Sequence, residues 1–203
     1  MEVGWLIEDI NHLKPTWNLL GLLDEDEEKW GQLRCGYNVL GGMDCLENLD
    51  RPTAIALAVG DSSSRRSLVE RLRPLNVEFP PLAHPSVIMS KTVKISEGVI
   101  IAAGSVLTVE IKIGAHTHID TACTVGHETR LGQCVRLNPG VSVAGNVTLA
   151  DGVYVGSGAT IIQGLTIGCN AVIGAGAVVV RDLPDNVVAV GNPARVIKTN
   201  AGQ

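Results

Sequence analysis

In residues 89–179 every sixth position is methionine or an aliphatic residue. The series runs Met89, Ile95, Ile101, Leu107, Ile113, Ile119, Val125, Leu131, Leu137, Val143, Leu149, Val155, Ile161, Ile167, Ile173 and Val179, sixteen positions without a break. An amphipathic helix needs apolar spacings of three and four, which this stretch lacks. The position after each is mostly small or turn-forming, as at Ala102, Gly114, Asp120, Gly126, Gly132, Asn138, Gly156, Gly168 and Gly174. Four residues after each hexad start stands another small or aliphatic residue, including Val93, Val99, Ser105, Thr117, Cys123, Val135, Val141, Val147, Ala159 and Ala177. A short strand that buries its aliphatic residue, a tight corner, and a small residue inside that corner account for all three observations. Three such strands, one per hexad, close one triangular coil. Successive coils then stack about 4.8 Å apart, as paired strands do in any sheet.

Residues ahead of the repeat differ in kind. Aromatic residues are only 3% of the chain, and Trp5, Trp17, Trp30, Tyr37 and Phe79 all precede the repeat, with Tyr154 alone inside it. Two regions follow, residues 1–82 and residues 83–203, with residues 79–85 expected as a linker. Val3, Leu6, Ile7, Ile10 and Leu13 fall on one helical face. Residues 53–59 read as a buried strand entering Gly60 and Asp61, and a helix carrying Arg65, Leu68, Val69 and Leu72 comes next. That alternation predicts a small α/β unit with a parallel sheet. A nucleotide-binding unit of this kind opens with a strand and a glycine-rich turn. The sequence starts inside the helix that would follow them, so the unit reads as truncated. Asp24 and Gly60 with Asp61 remain as substrate-binding candidates, each equally readable as an acidic turn or a helix cap.

The formal charge is −5, with no basic stripe and no interleaved aromatic and basic residues, so nucleic acid is not expected as a partner. No run reads as a signal peptide or a membrane span. The five cysteines form no CxxC pair and are odd in number, which fits free thiols in the cytoplasm. Within the repeat the first and fifth hexad positions should point inward. His127, third in the hexad VGHETR, therefore projects from a corner, where an imidazole can serve as general base with Glu128 to orient it. The ordinary reading of such a pair is a solvated surface.

The segment VGHETRLGQCVRLNPGVSVAGNVTLADGVYVGSGA, with the ending VVRDLPDNVVAVGNPARVIK, resembles the hexapeptide-repeat acetyltransferases of the sialic-acid O-acetyltransferase and nucleotide 4-amino-sugar N-acetyltransferase family, the UDP-bacillosamine type among them. The likeness spans nearly the whole chain. It implies a mainly β fold, a left-handed parallel β-helix preceded by a Rossmann-like unit. It also implies transfer of an acetyl group from acetyl-CoA to an amine or hydroxyl of a sugar or nucleotide-sugar, in cell-surface glycan biosynthesis, by a homotrimer with no metal. The resemblance makes His127 the catalytic base and Glu128 its partner. It places acetyl-CoA between subunits near Arg136, Gly145, Ser157 and Ala175, with Arg195 and Lys198 near the CoA phosphates, and gives Asp120 to the substrate. Arg136 stands where the family often has a second histidine, and Asp120 where it often has asparagine. Two other readings are a non-catalytic β-helix scaffold and a γ-carbonic-anhydrase-like zinc enzyme drawing on His116, His118 and His127.

Overall fold

The computed structural model describes residues 2–47 and 49–199. Met1, Asn48 and residues 200–203, which include the outer ends of both expected regions, lie outside the described residues. The repeat forms a three-sided prism of stacked two-residue strands, each paired in parallel with the strand three hexads later. The first face carries Leu82–Ala83, Ile100–Ile101, His118–Ile119, Arg136–Leu137, Tyr154–Val155 and Val172–Ile173. The second carries Ile88–Met89, Val106–Leu107, Thr124–Val125, Ser142–Val143, Thr160–Ile161 and Val178–Val179. The third carries Lys94–Ile95, Lys112–Ile113, Arg130–Leu131, Thr148–Leu149 and Thr166–Ile167.

Between residues 98 and 176 each corner turns on a residue with positive φ. These recur at six-residue steps as Gly98, Gly104, Glu110, His116, Ala122, Glu128, Cys134, Gly140, Asn146, Gly152, Gly158, Gly164, Asn170 and Gly176. Glycine adopts that conformation freely, whereas other residues pay about 1 kcal/mol or more. The inward positions behave as expected: Ile101, Leu137, Val155, Ile161, Ile167 and Ile173 are fully buried, and so are the fifth-position residues Val99, Ser105, Thr117, Cys123, Val135 and Val147. Polar side chains inside the prism are satisfied by corner carbonyls. Ser105 Oγ donates to Asp120 O at 2.8 Å, Thr117 Oγ1 to Gly132 O at 2.7 Å and Thr129 Oγ1 to Ala144 O at 3.1 Å.

The prism begins one hexad earlier than the aliphatic series. Leu82–Ala83, inside the segment expected as a linker, pairs with Ile100–Ile101. Ala83 holds the inward place six residues before Met89, and its small size hid the match. At the far end Val187–Val190 continues the first face, and Arg195–Thr199 folds back antiparallel along it.

The N-terminal unit has two helices, α1 (Glu2–Leu13) and α2 (Ser62–Leu72). Its strands are short and lie in two separate sheets rather than one. Leu22–Leu23 runs parallel to Tyr37–Gly41, which also pairs antiparallel with Leu33–Arg34, and Thr53–Ala54 runs parallel to Val77–Glu78. The ladder expected over residues 53–59 thus stops early, although Ile55 N still donates to Glu78 O and Leu57 is buried. Leu6 and Ile7 of α1 pack on Leu82 and Ile100 of the first face. Leu13, expected on the same buried face, is 76% exposed. Packing on the prism, more than helical pattern alone, decides which apolar positions of α1 are covered. Among the described residues no helix is long and apolar enough to cross a membrane.

Candidate active site

The corner between the second and third faces carries His127. Its side chain is exposed, and Nδ1 lies 3.0 Å from Glu128 Oε2. Glu128 occupies the left-handed turn position with φ 60°, which keeps its carboxylate beside the preceding residue. Gly145, one coil further on, lies directly against the imidazole: a Cβ built there would stand 2.4 Å from His127 Nε2. The main chain locks the corner, with Asn146 N donating to His127 O at 2.6 Å. A carboxylate on Nδ1 fixes the proton there, so Nε2 presents a lone pair above Gly145.

A second arrangement lies on the first face. A cavity of about 120 Å³ opens between α1 and this face, lined among others by Glu2, Trp5, Gly60, His118, Asp120 and Arg136. Arg136 Nη2 donates to Asp120 Oδ2 at 2.5 Å, and Nη1 donates to His118 Nδ1 at 3.2 Å. Asp120 Oδ1 also accepts from Thr121 N at 3.0 Å. Burial, reinforced by the positive charges of Arg65 and Arg136, pushes the His118 pKa down to about 2, so the ring is neutral and its proton sits on Nε2. His118 Nε2 and Arg136 Nε are buried without a hydrogen-bond partner among the described residues, so this wall holds two donors that no acceptor of those residues meets. Asp120 and Arg136, the two residues at which the sequence was expected to depart from the family, are therefore partners of one another.

The other expected residues divide by side of the prism. Ser157 and Ala175 are exposed at the corner between the first and second faces, in the same column as Thr121 at the cavity rim. Arg195 and Lys198 are exposed on the terminal strand beside the first face. Gly60 lines the cavity, whereas Asp61 caps α2 by accepting from Ser64 N at 2.7 Å. Asp24 lies outside the cavity lining and pairs with Lys29 at 3.0 Å. A hydrogen bond from Asp26 N and the Lys29 ammonium hold its carboxyl below the usual range. His127, Glu128 and Gly145 thus stand at a corner opposite the face that bears the cavity, and one chain does not bring the two groups together.

Trp5 and Glu2 were not singled out as site residues in the sequence, and His118 only as a ligand in the zinc reading. The coil arithmetic does contain His118, since it stands three hexads before Arg136 and pairs with it in register. Trp5 and Glu2 reach the site only through the docking of α1. His84 also lines the cavity and links Asp9, at 2.9 Å from Nε2, to Ser86 Oγ, at 2.7 Å from Nδ1. This has the order of a hydrolytic triad, but Ser86 Oγ accepts from Gly104 N, and Ser90 with Thr92 repeats the same turn geometry onto Glu110 N one hexad later. The array is a corner device. His116 is buried edge-on against Phe79, so His116, His118 and His127 point to three different parts of the prism. Among the described residues no group of three or more His, Cys, Asp or Glu could hold a metal ion. Burial raises the Cys123 thiol to about 11, which argues against acylation of that residue.

Residues 4–72 match the family model described as the PglD N-terminal domain. No curated protein matches the chain. A histidine-to-asparagine variant of perosamine N-acetyltransferase from Caulobacter crescentus, solved with CoA and GDP-perosamine, is 31% identical over 97% of this chain and 92% of its own, with a TM-score of 0.87. WeeI from Acinetobacter baumannii is 29% identical over 96% and 94%, with a TM-score of 0.87. The acetyltransferase domain of PglB from Neisseria gonorrhoeae is 30% identical over 95% and 93%, with a TM-score of 0.72, and is also solved with acetyl coenzyme A. The prism therefore belongs to a known class: the chain is a member of the hexapeptide-repeat acetyltransferases, enzymes that use acetyl-CoA as co-substrate.

Proposed function

We propose that the protein transfers the acetyl group of acetyl-CoA to a nucleotide-linked sugar, with His127 as general base. The observation that carries this reading is the His127–Glu128 contact at 3.0 Å, with the imidazole lying against Gly145. Glu128 holds the proton on Nδ1 and offsets the charge that forms when Nε2 takes a proton from the acceptor. The acceptor nitrogen or oxygen attacks the thioester carbonyl, its proton passes to Nε2, and the C–S bond breaks as the tetrahedral intermediate collapses. CoA leaves as the thiol after taking a proton back from the imidazolium. The Gly145 N–H is the donor assigned to the transient oxyanion. An amine is the favoured acceptor over a hydroxyl, because the perosamine enzyme named above is an N-acetyltransferase.

The division of the site implies assembly. With the base on a corner and the acceptor cavity on the opposite face, a working site needs the corner of one copy to meet the first face of the next. A head-to-tail contact repeated with a closing rotation forms a ring, and the family resemblance makes that ring a trimer. Ser157, Ala175, Arg195 and Lys198 then lie on the cavity side of each interface, as the track for CoA. Left-handed winding, Rossmann-like ancestry of the N-terminal unit, a cytoplasmic location and a role in cell-surface glycan synthesis complete the reading.

The test is CoA release from acetyl-CoA with GDP-perosamine and a panel of other nucleotide-linked amino sugars. The wild-type protein should release CoA with one of them, and His127→Ala should not, while still binding acetyl-CoA. Absence of release by the wild type with every acceptor would instead favour the scaffold reading.

A further inference from the structure

Arg65 on α2 is fully buried, a placement rare for arginine. Its five N–H groups all go to main-chain carbonyls. Nε donates to His116 O at 2.8 Å, Nη1 to Val59 O at 2.7 Å and Gly60 O at 3.2 Å, and Nη2 to Cys134 O at 2.8 Å and Val135 O at 3.2 Å. Burial draws its pKa down to about 10, so it stays cationic at neutral pH. The five carbonyls belong to three segments, and each segment adjoins a cavity residue. Gly60 lines the cavity itself, Val135 precedes Arg136, and His116 stands two residues before His118.

We propose that Arg65 is a positioning residue for acceptor binding, setting the spacing between the Gly60 wall of the cavity and the wall made by His118 and Arg136. A planar fork with fixed donor directions can hold three backbones at one spacing, which apolar packing between the two units would not specify. Burying a cation without a carboxylate partner in its hydrogen-bond shell is costly, and the same two units already share the Leu6, Ile7, Leu82 and Ile100 contact for cohesion. The role in turnover rests on the acetyltransfer reading above.

The experiment uses the full chain with Arg65→Lys and Arg65→Met. Steady-state kinetics vary GDP-perosamine and acetyl-CoA separately, and hydrogen exchange follows residues 56–64, 132–138 and 140–179. In Arg65→Lys the acceptor KM should rise about tenfold, while kcat and the acetyl-CoA KM stay within about threefold. Exchange should quicken in residues 56–64 and stay unchanged in 140–179. Equal losses in both KM values and kcat would overturn the proposal, as would unchanged acceptor KM with loosened residues 56–64. Arg65→Met removes the guanidinium donors from all five carbonyls, of which Val135 O keeps His118 N, so the lysine variant decides if the methionine variant does not fold. If the wild type turns over no acceptor, the acetyltransfer reading falls by itself. The positioning role is then judged by exchange, and unchanged protection of residues 56–64 in Arg65→Lys overturns it.

Discussion

The imidazole of His127 occupies the space that a side chain on Gly145 would need, with Nε2 only 2.4 Å from the missing Cβ. Gly145 is not among the positive-φ glycines, so its backbone would accept alanine without strain. Gly145→Ala should therefore act through the ring it displaces. Stability is expected to change by no more than about 0.5 kcal/mol, because the displaced group is an exposed ring end. Turnover should fall by about tenfold to a hundredfold as Nε2 leaves its place. Thermal melting and CoA release on the same sample separate the two effects.

Asp120 and Arg136 should behave as a unit. Asp120 is 8% exposed, so removing Arg136 leaves a nearly buried carboxylate without its main partner. Arg136→His and Asp120→Asn should each destabilise by about 1–3 kcal/mol. The double variant, which installs the pair that the family resemblance implies, should recover at least half of the summed loss. Urea melts of the four proteins give the coupling, and additive losses would show the pair to be independent.

Mixed assemblies test the divided site. Ala103→Trp puts a large side chain into the cavity that Ala103 lines, and His127→Ala removes the proposed base. Each variant should be inactive alone. Co-refolded in equal amounts, random rings place an intact corner beside an intact cavity at about a quarter of sites, so about a quarter of wild-type activity should return. A mixture with no activity would mean that both halves are used within one chain.

Acid should weaken the fold. His118 is neutral in the folded chain, its pKa lowered to about 2, and burial lowers His116 as well. In the unfolded chain both titrate near the ordinary histidine value of about 6.5. Below that pH the unfolded state binds more protons, so stability rises with pH up to about 6.5 and then levels. Each fully depressed histidine contributes up to about 1.4 kcal/mol per pH unit below it. His118→Gln should flatten the dependence of the melting temperature between pH 5 and pH 7, and an unaltered slope would contradict the buried neutral ring.

The prism was legible because burial and turning repeat at one fixed interval, so sequence number alone gives face and height. Its first rung was missed because Ala83 is too small to count as apolar pattern. The same arithmetic contained the stacking of His118 beside Arg136. It did not reveal the hydrogen bond from Arg136 to Asp120, which depends on side-chain reach across a corner. The cavity was not legible at all, since Trp5 and Glu2 reach it through the docking of α1, a contact between residues about a hundred apart. In the N-terminal unit, strands of two residues leave too little alternation to read. The His127–Glu128 pair could be found, but its separation from Asp120 and Arg136 required the three faces to be closed into a solid.

The unbroken train of left-handed corners from Gly98 to Gly176 makes the length of this protein editable only in quanta. Loss of one residue would put every later corner out of phase and turn buried positions toward solvent. Loss or gain of three whole hexads would keep every side chain on its own face. A coil added between Gly145 and Ser157 would leave His127 beside its glycine and carry Arg195 and Lys198 about 4.8 Å further away. Under the proposed function, the prism is thus a graduated scale on which the reach from thioester to CoA phosphate is written in whole coils.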